Sequence, residues 1–427
     1  MMFSCGVAVG IFYYSVAEPV WHYTGGNRFA HLPDNERGTH SLMVTWYHWG
    51  LHGWIPYTVV GAVLGLMAYR RGLPMTMRFT LYPLIGERVY GWIGDLVDVA
   101  SICCTLFGVC TSLGLGVEQI NTGLVRLDKG TFRGVNDHPD GRTGLEVNTD
   151  TQVVIIWIVT VLATASVVAG LQMGIRRIAQ VTFGLGMFLM LSVLFLGHTE
   201  YILNLIVETL GYYLWYLPKI SFHTDAFEMS GQTPLQCIED STLCGSPTWM
   251  DGWTIFYWGW WISWGPFVGM FMAKISRGRT LGEFIMGTLI IPSAYSFLWL
   301  GIFGAEGIYM ERAAQIEGLT CDNQFSAVTN NVRLSCSGTA AMYFDQVTSY
   351  GSQGFGDFIS LLSIIALILY FVASSDSGSL VIDIIAANGV ANPPVIQKVF
   401  WAFSEGAAAT ALLVAGGSQA LSALQTA

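Results

Sequence analysis

Long apolar runs separated by short polar ones set the plan of this chain. Runs of roughly 20 apolar residues, the length that crosses the hydrocarbon of a bilayer, cover 3–21, 42–69, 92–117, 152–174, 181–199, 253–273, 284–304, 358–387 and 400–416. One such run is ambiguous, but nine in series predict an all-α integral membrane protein with about nine transmembrane helices. The run at 3–21 lacks a basic leader, and Glu18-Pro19 stands where a secretory signal carries small residues. It therefore reads as a span. Segment 200–220 is apolar but begins too close to the fifth run to cross again.

Composition narrows the class. Of 427 residues, 53% are hydrophobic and 11% charged, less than half the ~25% charge of a soluble domain. Disorder, a basic nucleic-acid binder and most soluble enzymes are excluded. The net charge of −10 is unevenly placed. Loops 69–91, 175–180, 274–283 and 389–399 hold ten Lys/Arg against Glu87 and Glu283, whereas the loops on the other side are strongly acidic. The positive-inside rule puts the basic set on the cytoplasmic (or matrix or stromal) side, with the first span running from inside to outside. Four cysteines (Cys5, Cys103, Cys104, Cys110) lie in spans. The pairs Cys237/Cys244 and Cys321/Cys336 each share one loop on the acidic side. Those pairs fit local disulfides in an oxidising compartment, the alternative being four free thiols.

Two stretches interrupt the helical pattern at membrane depth. They are Gly6-Val7-Ala8-Val9-Gly10 with Val16-Ala17-Glu18-Pro19, and Trp260-Trp261-Ile262-Ser263-Trp264-Gly265-Pro266-Phe267. Broken helices at corresponding places in two halves point to the substrate site of an inverted-repeat transporter, although glycine also serves ordinary close packing in membranes. Aromatic residues accompany the breaks. Trp49, Trp54 and Tyr57 fall within an arc of about 140° on one face of the second span, and Trp260 and Trp264 share a face with Trp261 beside them. Such rings commonly form interfacial belts. Here they can instead build a box without a paired carboxylate, suited to a quaternary ammonium or sulfonium group held by cation–π attraction.

These stretches resemble the betaine/choline/carnitine transporter (BCCT) family of secondary transporters. The matching residues are Met1 to Gly10 with Ala17-Glu18-Pro19, His48-Trp49-Gly50-Leu51-His52-Gly53-Trp54 and Phe107 to Gly116. Trp260 through Thr280, Ser375-Asp376-Ser377-Gly378-Ser379 and Ala423 to Ala427 continue the match. The resemblance implies a leucine-transporter-like inverted repeat. It spans residues 1–215 (a truncated first helix, five spans, and an outer-face amphipathic helix at about 200–217) and 253–427 (four spans). The Cys-bearing outer loops are 216–252 and 305–356. Relative to the twelve-helix family, three helices are expected before Met1 and after Ala427.

The resemblance also implies a cage of Trp49, Trp54, Tyr57 and Trp261 for the onium group, and a further aromatic, Trp264, on the path. The flexible stretch carries Gly6, Ala8 and Gly10, with Ala8 narrowing the space. Sodium as a coupling ion would take the carbonyls of Ser4 and Val7 with Phe371 and Ser374, and Phe267 lies near another ion position. The function so implied is secondary transport of betaine, choline, carnitine or dimethylsulfoniopropionate-type compounds. The alternative is a degenerate, non-transporting subunit of a larger membrane complex. Expected partners are a small onium substrate, the lipid membrane and a homotrimer or larger assembly, without nucleic acid.

An enzyme is not expected: no phosphate loop or nucleophile elbow occurs. His48 and His52 have the i, i+4 spacing of helical metal ligands, yet no third ligand is evident, so no metal is assigned. Asp376 with Ser374 and Ser377 forms a polar group in the eighth span, expected to act as scaffolding beside the ion site.

Overall fold

The computed structural model describes residues 8–24, 29, 31–129, 145–169, 175–224, 226, 249–326, 328–350, 353–390 and 392–416. In chain order the main helices are α1 (Ala8–Tyr23), α2 (Asp34–Trp49), α3 (Leu51–Arg71), α4 (Trp92–Lys129), α5 (Thr149–Ala169), α6 (Ile175–Leu196) and α7 (Thr199–Ser221). They continue with α8 (Phe256–Ser263), α9 (Gly265–Ile275), α10 (Leu281–Ile285), α11 (Ile291–Glu317), α12 (Thr339–Thr348), α13 (Gln353–Ala386) and α14 (Val395–Gly416). A π-helical turn, Asp251–Ile255, precedes α8, and another, Met286–Ile290, joins α10 to α11. Single helical turns fill 77–90 between α3 and α4.

Among the described residues, seven helical stretches are long and apolar enough to cross a membrane: Asp34–Arg71, Trp92–Asp128, Thr149–Ala169, Arg176–Leu196, Leu281–Glu317, Gly354–Ala386 and Val395–Gly416. The other two apolar runs of the sequence do not make continuous helices of that length among the described residues. The helix in 3–21 is the 16-residue α1, and 253–273 is divided between the π turn, α8 and α9. Several helices outrun their apolar windows, because polar turns continue the hydrogen-bond ladder beyond hydrocarbon. The window 92–117 belongs to a helix reaching Lys129, and 284–304 to one reaching Glu317. The second run differs in kind, since Gly50 interrupts it between α2 and α3.

Side-chain placement follows the logic of a lipid solvent. In α5, Val154, Ile158, Val161 and Leu162 are exposed while Thr160, Thr164 and Ser166 are buried. Apolar chains turn outward, and small or polar ones face the protein, where helices approach closely. A close crossing joins α3 to α9: a Cβ on Gly61 would come 2.8 Å from the Gly269 carbonyl oxygen, and one on Gly269 would come 2.7 Å from Val60 Cγ1. This crossing brings α8, which precedes α9, against the start of α3. The other principal pairings are α4 with α13, α5 with α14, α1 with α11, α6 with α13, α5 with α13, α2 with α7, α11 with α7, and α4 with α14.

Helix α7 lies on α2 and α11. It buries Ile202, Leu205, Thr209 and Tyr213, one face at helical spacing, and exposes Val207, Leu214 and Trp215. Beyond α11, the chain turns back on itself through a disulfide between Cys321 and Cys336. Cys237 and Cys244 lie outside the described residues.

Candidate functional site

The break at Gly50 builds the site. A Cβ there would meet Phe297 Cε1 at 2.3 Å and the Trp46 carbonyl oxygen at 2.5 Å, so only glycine admits the α11 aromatic ring at this corner. The Gly50 N–H donates to the Trp46 carbonyl at 2.8 Å, closing α2 one residue after Trp49. Trp49 therefore belongs to the end of α2, and Trp54 and Tyr57 to α3. Their shared face comes from the corner between two helices, not from the single 42–69 helix on which the arc rests. Pro56 lies within α3 and withholds one ladder donor in its first turns.

Across from this corner, α8 presents Tyr257, Trp260 and Trp261, and Trp264 stands at the junction with α9, where Pro266 follows in the first turn. The rings meet edge to face. Trp49 lies 5.0 Å from Trp261, 5.9 Å from Trp260 and 5.2 Å from Tyr257, centroid to centroid. Trp54 is 5.9 Å from Tyr57, and Tyr57 is 6.5 Å from Trp261. Trp260 is 6.0 Å from Trp264, which is 5.4 Å from Phe267. All are buried. The structure thus brings Trp49, Trp54, Tyr57, Trp261 and Trp264 into one aromatic group, with Trp260 and Tyr257 added. Gly10 of α1 closes it: a Cβ there would stand 2.8 Å from Trp260 Cη2 and 2.9 Å from Trp49 Cη2. Gly6, Ser4 and Val7 lie outside the described residues, as does the side chain of Ala8.

Three donors in this group, Tyr57 Oη, Trp260 Nε1 and Trp264 Nε1, are buried without a hydrogen-bond partner among the described residues. Buried polar atoms are almost always paired, so orphans clustered in one aromatic group point to a ligand. The other donors are engaged. Trp261 Nε1 donates to the His48 carbonyl at 2.9 Å, and Trp49 Nε1 donates to Glu18 Oε2 at 2.7 Å.

Glu18 is the residue that spacing did not single out as part of the site. The signals for it are a carboxylate inside an apolar run and its place in the Ala17-Glu18-Pro19 match. Helix α1 runs through Pro19 to Tyr23, so this stretch is not the helix break its sequence suggests. A Cβ on Gly304 of α11 would fall 2.7 Å from the Pro19 ring, and that glycine makes room for the proline. Glu18 Oε1 accepts from His48 Nδ1 at 2.6 Å, and Oε2 accepts from Tyr257 Oη at 2.6 Å as well as from Trp49. His22 Nε2 lies 3.4 Å from Oε1.

Ligand atoms of Glu18, His22 and His48 come within 4.8 Å of one another, yet their hydrogen bonds account for them. The Trp249 indole can only donate, and it reaches His22 Nδ1 at 3.5 Å. That nitrogen accepts, so Nε2 carries the proton and has no lone pair for an ion. His48 and His52 do not act together. His48 turns to Glu18 and Thr254, and His52 Nε2 reaches Ser221 Oγ at 2.9 Å on the far side of the Gly50 corner.

On α13, Phe371 and Ser374 are buried. Asp376 accepts from Ser166 of α5, and Ser377 Oγ donates back to the Ala373 carbonyl at 2.6 Å and to the Ser374 carbonyl at 3.0 Å. Ser375 and Ser379 instead serve Glu405 of α14, at 2.6 and 2.9 Å.

The whole chain, residues 1–427, matches the family described as BCCT, betaine/carnitine/choline family transporter. The chain belongs to the BCCT family. It is 38% identical over 431 residues to glycine betaine transporter 1 of Vibrio parahaemolyticus, covering 100% of this chain and 72% of that protein. It is 36% identical over 432 residues to a glycine betaine transporter of Acinetobacter baylyi, covering 100% and 57%. An uncharacterized transporter of Mycobacterium tuberculosis is 38% identical over 430 residues, covering 100% and 64%. The chain thus spans between about half and three quarters of the length of these BCCT relatives.

Proposed function

We propose that the protein carrying this chain is a secondary transporter of quaternary-ammonium or related onium compounds. The observation that carries the proposal is the buried aromatic group with three orphaned donors. Ring faces of Trp49, Trp54, Tyr57 and Trp261 attract a cation that has no N–H to offer, an interaction worth about 2 kcal/mol or more when desolvated. The free hydrogens of Trp260, Trp264 and Tyr57 suit a carboxylate or hydroxyl at the other end of the same molecule. A zwitterion of the glycine betaine type meets both demands, in keeping with the relatives that are glycine betaine transporters.

An inverted repeat accounts for the helix order. Short α1, then Asp34–Arg71, Trp92–Asp128, Thr149–Ala169 and Arg176–Leu196, are followed after α7 by divided α8–α9, then Leu281–Glu317, Gly354–Ala386 and Val395–Gly416. The pairings obey the same exchange: α1 with α11 mirrors α9 with α3, and α4 with α14 mirrors α13 with α5. Two further pairs, α4 with α13 and α5 with α14, join equivalents. The site then lies where short α1 faces divided α8–α9, in keeping with transporters of this architecture.

Sodium is the proposed coupling ion, held by Phe371 and Ser374 together with Ser4 and Val7. In support, Val9 and Phe371 both border Gly116, 3.0 and 3.9 Å from where its Cβ would stand, so the Phe371 segment runs alongside the start of α1. The test of the cage is Trp261→Ala in the full-length protein, read by binding and uptake of labelled glycine betaine and choline. Loss of one desolvated ring should weaken binding at least about thirty-fold. Unchanged binding would remove the cage reading.

A further inference from the structure

Glu18 does more than fill space beside the cage, and its partners show what it does. The carboxylate is wholly buried and has about four lone-pair positions. Trp49 Nε1, Tyr257 Oη and His48 Nδ1 take three of them at 2.6–2.7 Å, and His22 faces the fourth at 3.4 Å. The contacts come from three separate elements: α1 itself, the end of α2, and α8. Two of them reach cage rings. Trp49 is held directly by its indole N–H. Trp261 is held through His48, whose imidazole is fixed by Glu18 while its backbone carbonyl accepts the Trp261 N–H at 2.9 Å. His48 Nε2 is paired in turn with Thr254 Oγ1 at 3.0 Å. Thr254 lines a cavity of about 400 Å³ that also touches Tyr47, Trp249 and Met250. The hub therefore stands between this cavity and the aromatic group.

We propose that Glu18 is a positioning residue of the onium site: one carboxylate sets the ring planes of Trp49 and Trp261 and holds α8 against α1 through Tyr257. Charge-assisted hydrogen bonds are shorter and stronger than neutral ones, and an indole anchored at its only polar atom loses the freedom to tilt. Cation–π attraction falls when a ring turns its edge to the cation, so ring planes and affinity are coupled. Because hydrogen bonds from Trp49, Tyr257 and His48 take three acceptor positions of Glu18 and His22 faces the fourth, it is not the substrate's counter-ion. It acts through the rings. The proposal rests on the transport reading above, and the experiment separates the two.

The full-length transporter is purified or reconstituted as wild type, Glu18→Gln, Tyr257→Phe and the double variant. Glycine betaine, choline and dimethylsulfoniopropionate are the probes, read by equilibrium binding and by initial uptake rates. Glutamine has the shape of glutamate but puts two N–H donors where donors already point. Glu18→Gln should raise the KM and Kd about ten-fold or more, with Vmax per folded molecule changing far less. Tyr257→Phe, which deletes one hydroxyl, should raise Kd about three- to ten-fold, and the double variant should be no worse than Glu18→Gln alone. Glu18→Asp, which keeps the charge and both oxygens, should recover part of the affinity.

A carboxylate serving folding alone would lower the yield of folded transporter and leave the KM of the folded fraction unchanged. That result overturns the proposal, as does strict additivity of Glu18→Gln and Tyr257→Phe. If the wild type shows no saturable binding of any of the three probes, the transport reading itself fails. If Glu18→Gln does not fold, Tyr257→Phe decides: unchanged Kd and KM for it overturn the proposal.

Discussion

Replacing Gly10 by alanine is the smallest perturbation that reaches the center of the site. The added methyl carbon would sit 2.8 Å from Trp260 Cη2 and 2.9 Å from Trp49 Cη2, closer than carbon atoms approach without displacement, since contact is favourable near 3.5–4.0 Å. Both indoles must therefore move by a good fraction of an ångström. Neither has local slack. Trp49 is packed against Tyr257 and Trp261, with its N–H tied to Glu18, and Trp260 lies against Trp261 at 5.0 Å. Overpacking of this kind costs about 1–3 kcal/mol, and since 1.4 kcal/mol is tenfold, affinity for glycine betaine should fall by roughly 5- to 150-fold. The matched control is Gly259→Ala, in α8 beside the same rings, where a Cβ meets nothing within 4 Å. That change removes backbone freedom from a helix interior and should be neutral or slightly stabilising. Equilibrium binding to purified protein, alongside thermal unfolding without substrate, separates loss of site from loss of fold. Unchanged affinity in Gly10→Ala, or an equal loss in Gly259→Ala, would refute the close-approach reasoning.

Two further changes probe the scaffold. Arg126 of α4 pairs with Asp345 of α12, whose carboxylate is buried. Arg126→Ala should lower stability by about 3–5 kcal/mol at neutral pH, with Arg126→Ala/Asp345→Asn recovering part of it. Burial pushes the Asp345 carboxyl up while Arg126 pulls it down. With Arg126 gone the folded-state pKa rises further, so the cost is full above that pKa and fades as pH falls through it and the acid becomes neutral. Unfolding temperatures across a pH series read this directly, and a flat series would count against it. Cys321→Ser with Cys336→Ser opens a loop of sequence separation 15 and should cost about 3 kcal/mol. Limited proteolysis should then cut between α11 and α12, while glycine betaine binding stays as in the parent. Loss of binding instead would show that the loop reaches the site.

How much of this could be read from residues alone depended on whether a property was local. Trp and Tyr inside apolar runs are chemically conspicuous wherever the chain takes them, so Trp49, Trp54, Tyr57, Trp261 and Trp264 were legible as candidates, whereas Tyr257 was not. The corner that assembles them was not. Gly50 looks like any small residue in a membrane helix, and its purpose appears only when Phe297, from a helix much later in the chain, occupies the space a side chain would need. Pro19 erred in the other direction. A proline in a helical run signals a break, but Gly304 yields to its ring and α1 continues. Helix ends were likewise hidden, because the polar turns that extend α4 and α11 carry no apolar signal.

Glu18 marks the point where composition misleads most. On the transport reading, an aromatic box with a carboxylate nearby invites an ion pair with the substrate. The geometry argues against it, because donors of the protein already face every acceptor position of that carboxylate. Selection for methylated onium groups then follows from what the cage lacks. A primary ammonium entering it would bring three N–H donors into a space lined by ring faces, and each donor left unpaired costs about 1–3 kcal/mol. A trimethylammonium or dimethylsulfonium group brings none. The rings attract all of these cations alike, so the missing acceptor does the discriminating, and Glu18 keeps that acceptor out of reach by spending its own oxygens on the walls.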